Sequence, residues 1–248
     1  MKSGSRPSGR RVWLASAYVL HQYAYRDSSR IVEVITRDHG RLSLFAHGAN
    51  AAKSPVRSIL RPFQRLLMSW SGRAEACQLV AAELDGAHTS LAKERLMSGF
   101  YLNELLLKLT ERCDPQPEIF DAYATCLAAL AGGESEEAAL RRFEKRLLDN
   151  LGYGLQLSRT VDGEPIAVDG YYRFAAQQGA APCVAEAPGA IYGRSLADLD
   201  SETFADQRSL RDAKRVLRAA LDACLEGRAL KSREVMVALR RRETRERP

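Results

Sequence analysis

Long apolar runs are missing from this 248-residue sequence. None approaches the roughly 18 to 20 residues that a membrane-spanning helix needs. The polar, basic segment 1–11 has no apolar stretch of the kind found in a secretion signal, so a cytoplasmic protein with no membrane partner is expected. Cysteine is scarce. Cys77, Cys113, Cys126, Cys183 and Cys224 are odd in number and scattered, which argues for reduced thiols and against a disulfide framework. Histidine is scarcer still: His21, His39, His47 and His88 offer no pair at the helical spacing of a zinc site. There is no glycine-rich phosphate loop and no nucleophile elbow, and Gly152-Tyr153-Gly154 is too short for a dinucleotide fingerprint. Nothing repeats at a fixed period. These absences favour a binding protein over an enzyme, with no catalytic residue, cofactor or metal expected.

Charge is present, and it is uneven. Residues 1–88 hold 13 Lys and Arg against 6 Asp and Glu (+7), residues 89–200 hold 11 against 17 (−6), and residues 201–248 hold 13 against 8 (+5). Basic ends around an acidic middle suit contact with a phosphate backbone, because neutralised phosphates release counterions whatever the base sequence. Simple solubility explains such charge equally well.

The basic N-terminal part alternates with period two. Ile31, Val32, Val34 and Ile35, then Leu42, Leu44 and Ala46, suit strands with one buried face, and Asp38-His39-Gly40 supplies the turn between them. With candidate strands at 15–23, 63–70 and 76–84, five strands fall within about 75 residues, and the longer connection lies between the third and fourth. That pattern predicts the partly open Greek-key barrel called the OB-fold, which can track single strands of nucleic acid; an SH3-like barrel shares the pattern. Arg30, Arg37, Arg41, Lys53, Arg57 and Arg73 are the candidate phosphate contacts, and Tyr23, Tyr25, Phe45 and Trp70 the candidate stacking surfaces. For each aromatic a core position is the plainer expectation, since strands favour aromatics for packing. For each cation a solvated surface role competes evenly.

From Ser90 the period changes to 3.6. Leu91, Leu96, Phe100, Leu105 and Leu109 mark a first helix that Asp114-Pro115-Gln116-Pro117 stops. Residues 119–130 predict a second. The third, about 136–151, places Leu140, Phe143, Leu147, Leu148 and Leu151 on one arc and Arg141, Arg142, Lys145 and Arg146 on the opposite one. Further helices are expected at 209–225 and from Ser232, the latter with Val235, Met236 and Leu239 as its stripe. Between them, residues 158–200 are punctuated by Gly and Pro and predict an irregular lobe with a hairpin near Tyr171. The fold class is therefore α+β. A disordered basic tail (1–11) precedes an OB-fold domain (12–88), a helical domain (89–240) with an inserted lobe (158–200) and a second basic tail (241–248), both tails expected to be mobile.

Four segments, in order and with compatible spacing, resemble the RecO family of DNA repair proteins. They are Tyr18-Val19-Leu20-His21 with Arg26-Asp27-Ser28-Ser29; Gly40-Arg41-Leu42-Ser43-Leu44-Phe45-Ala46-His47-Gly48-Ala49; Leu140-Arg141-Arg142-Phe143-Glu144 running into Leu151-Gly152-Tyr153-Gly154; and Gly227-Arg228-Ala229-Leu230-Lys231-Ser232-Arg233-Glu234. The resemblance covers about residues 12–240, and the order of the motifs is more specific than any one of them. It implies an OB-fold that binds single- and double-stranded DNA, annealing of complementary strands, and help, together with RecR, in loading RecA on DNA coated by single-stranded DNA-binding protein. It also implies recognition of that protein's acidic, apolar C-terminal tail, and nucleoid association during repair. Many members carry a four-cysteine zinc lobe; here residues 158–200 contain only Cys183, so no structural zinc is expected.

Two site expectations follow. The six cations of the barrel hold the DNA backbone. The third helix pairs a peptide's carboxylates with Arg141, Arg142 and Arg146 while the peptide's apolar end inserts beside Leu148, for which an ordinary solvated face is the plainer alternative. Two other classes stand beside this reading. A metal-dependent nuclease should need clustered carboxylates, and a basic scaffold would bind acidic proteins without annealing DNA.

Overall fold

The structure is a computed structural model that describes residues 11–25, 28–49, 51, 54, 56–73, 76–86 and 90–246, with the backbone alone described at residues 73, 76 and 240–246. Lys53 and the tail residues 1–10, 247 and 248 lie outside the described residues.

Five strands, β1 (Arg11–Tyr25), β2 (Ser29–Thr36), β3 (Gly40–Ala46), β4 (Arg65–Arg73) and β5 (Ala76–Leu84), close into a barrel of order β1-β2-β3-β5-β4. Neighbours are antiparallel except β3 and β5. A parallel pair cannot be joined by a tight hairpin, and the long connection after β3 allows the chain to reach β4 first. This is the OB-fold. Period two selects the core: Val32 opposes Leu44 and Val34 opposes Leu42, and these four pack inside with Ala17, Val19, Leu66, Met68 and Trp70. Trp70 is thus a core residue and not a stacking surface.

The first strand is longer than its sequence pattern predicts. Its register shifts at two places, between Val12 and Ala15 and between Val19 and His21, which lets one strand coil against both β2 and β4. Its middle is buried on both faces, so Tyr18 and Leu20 are covered as well as Ala17 and Val19. The outer cover comes from helices: Asn103 of α1 (Leu96–Leu109) donates Nδ2 to the Leu20 carbonyl at 2.9 Å, and the Tyr18 ring lies 5.3 Å from that of Phe120. Phe63 and Phe100 meet at 5.1 Å, and a Cβ on Gly99 would stand 2.7 Å from both Phe63 and Leu91.

By compactness, residues 1–121 and 232–248 form one unit and residues 122–231 the other. Helices α1 and α6 (Lys231–Glu246), which periodicity alone assigns to the helical domain, are therefore built into the barrel's unit. Glu104 of α1 fixes the start of α6, accepting from the Ser232 amide at 2.8 Å and its hydroxyl at 2.6 Å. Helix α6 runs on through Glu246, so residues 241–246 are helical and not a separate tail.

Helix α2 (Pro117–Gly132) begins in the first unit; in the second unit it leads to α3 (Glu136–Asn150), and α4 (Gly193–Asp200) packs on α5 (Gln207–Leu225). Asp206 caps α5 by accepting the Ser209 amide at 2.7 Å, a bond that also holds its carboxyl below the usual range. The lobe is more regular than its glycines and prolines suggest. Strands β6 (Tyr171–Ala175), β7 (Gly179–Pro182) and β8 (Ile191–Tyr192) make a sheet of order β7-β6-β8, and β6-β7 is the expected hairpin. The Arg208 guanidinium of α5 lies 4.3 Å from the Tyr192 ring and 5.4 Å from that of Tyr171, and Asp212 accepts the Tyr192 amide at 3.3 Å. Among the described residues no group of three or more His, Cys, Asp or Glu is placed to hold a metal, and no helix is long and apolar enough to cross a membrane.

Candidate nucleic-acid interface

Strand alternation that sends Val32, Val34, Leu42 and Leu44 inward turns their neighbours out. Register then aligns the outward residues in rows. Tyr23 of β1, Ile31 of β2, Phe45 of β3 and Gln78 of β5 stand side by side across four strands, and His21, Glu33 and Ser43 form the adjacent row. All of these except His21, together with Arg112 and Cys77, line a groove of about 700 Å³ on the barrel's outer face.

The first row is aromatic. Tyr23 keeps half of its surface exposed. Its ring lies 4.5 Å from His21, while Phe45 lies 5.1 Å from Tyr25 and 4.3 Å from His47, all edge-on. An edge-on contact covers at most one face of one of the two rings, and a base has a π-face to offer one that stays open.

The second row is ionic. Glu33 accepts from Arg112 Nη2 at 2.8 Å and from Arg41 Nη1 at 3.5 Å, and the Ser43 hydroxyl donates to Glu33 and accepts from Arg112. Arg41 also donates to the Thr110 carbonyl at 2.8 Å. Burial, and then the neighbouring Arg112 charge, lower the pKa of Arg41. An arginine so placed stays protonated at neutral pH. Two guanidiniums against one carboxylate leave one positive charge on the groove floor, the complement of a phosphate.

Arg112 is held there by a close approach of backbones. Gly40 has φ +68°, and a Cβ on it would sit 2.3 Å from the Asp114 carbonyl oxygen. That fit brings the turn after α1 against β3, where the Cys113 amide donates to the Arg41 carbonyl at 2.9 Å. The sequence reading treats 114–117 only as a helix stop and so misses Arg112. A signal for it exists in Glu33: an outward carboxylate in a well-covered strand requires cations nearby.

Among the nominated cations, the side chains of Arg30, Arg37, Arg41 and Arg57 are described, and they have different surroundings. Arg41 is largely buried beside the groove, bonded to Glu33 and the Thr110 carbonyl. Arg30 shares the inward register of Val32 at the barrel's end and donates to Gln22 at 2.6 Å. Arg37 makes a two-pronged bond with Asp121, at 3.1 and 2.9 Å, which raises its pKa. Arg57 is exposed in the connection before β4, and Arg73 ends β4.

On α3 the faces differ from the sequence wheel. Arg141 is buried, only 5% exposed, and is paired with Glu144 at 2.5 Å; Leu148 is buried completely. The two-arc pattern puts Arg141 outside, whereas pairing with the buried Glu144 three residues on holds its guanidinium inside. Arg146 makes bonds of 2.7 to 3.1 Å with the Glu202 carboxylate. Arg142 reaches the Glu202 carbonyl at 3.4 Å and the Glu134 carboxylate at 3.5 Å. Arg142 and Arg146 are thus the members of the set brought together at the surface, and acidic groups already answer both.

Two family models match the chain. One described as Recombination protein O N terminal matches residues 11–84, and one described as Recombination protein O C terminal matches residues 92–234. A DNA repair protein RecO from Azoarcus sp. (strain BH72) is 42% identical over 232 residues, covering 90% of this chain and 95% of its own length. The protein of that name from Methylococcus capsulatus is 42% identical over 226 residues, 91% of this chain and 93% of its own. That from Burkholderia lata is 39% identical over 241 residues, 96% of this chain and 87% of its own.

Proposed function

We propose a mechanism from one premise: the chain belongs to the RecO family of DNA repair proteins, and its role is in DNA repair and recombination. On this reading the outer face of the barrel binds single-stranded DNA, with bases on Tyr23 and Phe45 and a backbone phosphate at Arg112, and duplex DNA is held by backbone charge. The single observation that supports it most is the alignment of a row bearing Tyr23 and Phe45 with a Glu33 row that two guanidiniums answer, along one open groove. Annealing requires that two phosphate backbones be screened while base edges stay available, which charge and stacking achieve without base-specific hydrogen bonds. Such a protein anneals complementary strands and, with RecR, helps load RecA on DNA coated by single-stranded DNA-binding protein, working at the nucleoid without catalysing a covalent step.

Arg112→Ala tests the groove with a labelled oligonucleotide titrated at several salt concentrations. Weaker binding is expected, with the slope of log K against log salt reduced by about 0.7 for the lost contact. Unchanged affinity and slope would remove the reading, and a wild-type protein with no affinity for DNA would favour the basic scaffold instead. The acidic-tail reading rests on Arg142 and Arg146, where a peptide carboxylate would replace Glu202 or Glu134.

A further inference from the structure

Glu33 is out of place on a surface that takes an anionic strand. It is 4% exposed, and a charge so buried persists only where cations and donors answer it. Those partners are two guanidiniums and a hydroxyl, the same donors that a phosphate oxygen takes. The guanidiniums are not equivalent. The Arg41 side chain is 12% exposed and tied to the Thr110 carbonyl, whereas that of Arg112 is 36% exposed and directs both terminal nitrogens at Glu33 and Ser43.

We propose that Glu33 is a built-in competitor for the DNA phosphate. In the unbound protein its carboxylate holds Arg112 and Ser43; a backbone phosphate entering the groove takes both from it, while Arg41 stays behind to neutralise the carboxylate. This inference rests on the DNA-binding reading above and adds regulation of the same site. Its consequence is a grip weaker than two arginines and a hydroxyl would give alone. A strand so held is released readily, which annealing needs, since paired bases must leave the aromatic row.

The test is binding of an oligothymidylate by wild type, Glu33→Gln, Arg112→Ala and the double variant at low salt. Removing the competing charge with an isosteric side chain should tighten binding by about five- to tenfold and slow release of the strand. In the Arg112→Ala background the gain should vanish. Equal or weaker binding by Glu33→Gln would show that the carboxylate positions the arginines and does not compete. A gain that survives in the Arg112→Ala background would assign the effect to general charge; either result overturns the proposal. Failure of the wild type to bind would instead sink the DNA-binding reading itself. Should Glu33→Gln not fold, Glu33→Asp, whose shorter side chain draws the carboxylate back from the guanidiniums, is expected to tighten binding and serves the same comparison.

Discussion

A buried ion pair gives opposite results when one partner is removed and when both are replaced. Arg141 and Glu144 lie one helical turn apart inside the second unit, and Arg141→Ala removes the guanidinium from this buried pair. Thermal or denaturant unfolding should show a loss of about 3 to 5 kcal/mol. Replacing both residues by apolar side chains of similar volume should restore most of it. Arg141→Ala is therefore a stability variant and cannot diagnose peptide binding. Arg146→Ala is the informative change: it removes a surface cation that Glu202 shares, so an acidic, apolar-ended peptide should bind more weakly while the melting temperature moves little. A peptide affinity unaffected by Arg146→Ala would remove α3 from the partner site. Burial is also decisive at Cys126, whose thiol is pushed up to about 12 between α2 and α3, so it is a packing residue and not a nucleophile.

At the scale of elements, the groove depends on a glycine that touches no ligand. Gly40 opens β3 at positive φ with the Asp114 backbone where its side chain would be, and the turn that carries Arg112 is seated by that contact. Gly40→Ala should destabilise the barrel by about 1 to 3 kcal/mol, read by unfolding. In the folded fraction it should weaken DNA binding nearly as much as Arg112→Ala. Full DNA affinity in a folded Gly40→Ala protein would show that Arg112 does not need this seat. The strands themselves were legible because alternation at Leu42, Leu44 and Ala46 is a local signal, and so was the one long connection that an OB-fold requires. What was not legible depends on partners distant in sequence. Tyr18 and Leu20 lose their alternation to helices about 80 to 100 positions away, and α4 is one short helix among glycines. Of the groove, Tyr23 and Phe45 could be named from the sequence, and Arg41 beside it, whereas Arg112 enters only through a backbone contact that no composition or period encodes.

For the whole molecule the net charge of +6 says less than its placement. Several nominated arginines serve the fold: Arg37 ties the β2–β3 turn to Asp121, Arg30 closes the barrel's end on Gln22, and Arg141 neutralises Glu144. On the proposed DNA-binding reading, the charge left to attract DNA is smaller than the count of cations, and the aromatic row would carry the distinction between one strand and two. In a duplex the base faces are stacked on one another and closed to Tyr23 and Phe45, while its phosphates remain accessible to arginine. The central claim is thus tested most directly by titrating the Tyr23→Ala, Phe45→Ala double variant with the same sequence as a single strand and as a duplex at one salt concentration. The account predicts a loss of about 1 to 3 kcal/mol per unstacked base for the single strand, with duplex affinity within about twofold of wild type, since backbone contacts are unchanged. Equal losses on both, or none on either, would contradict it.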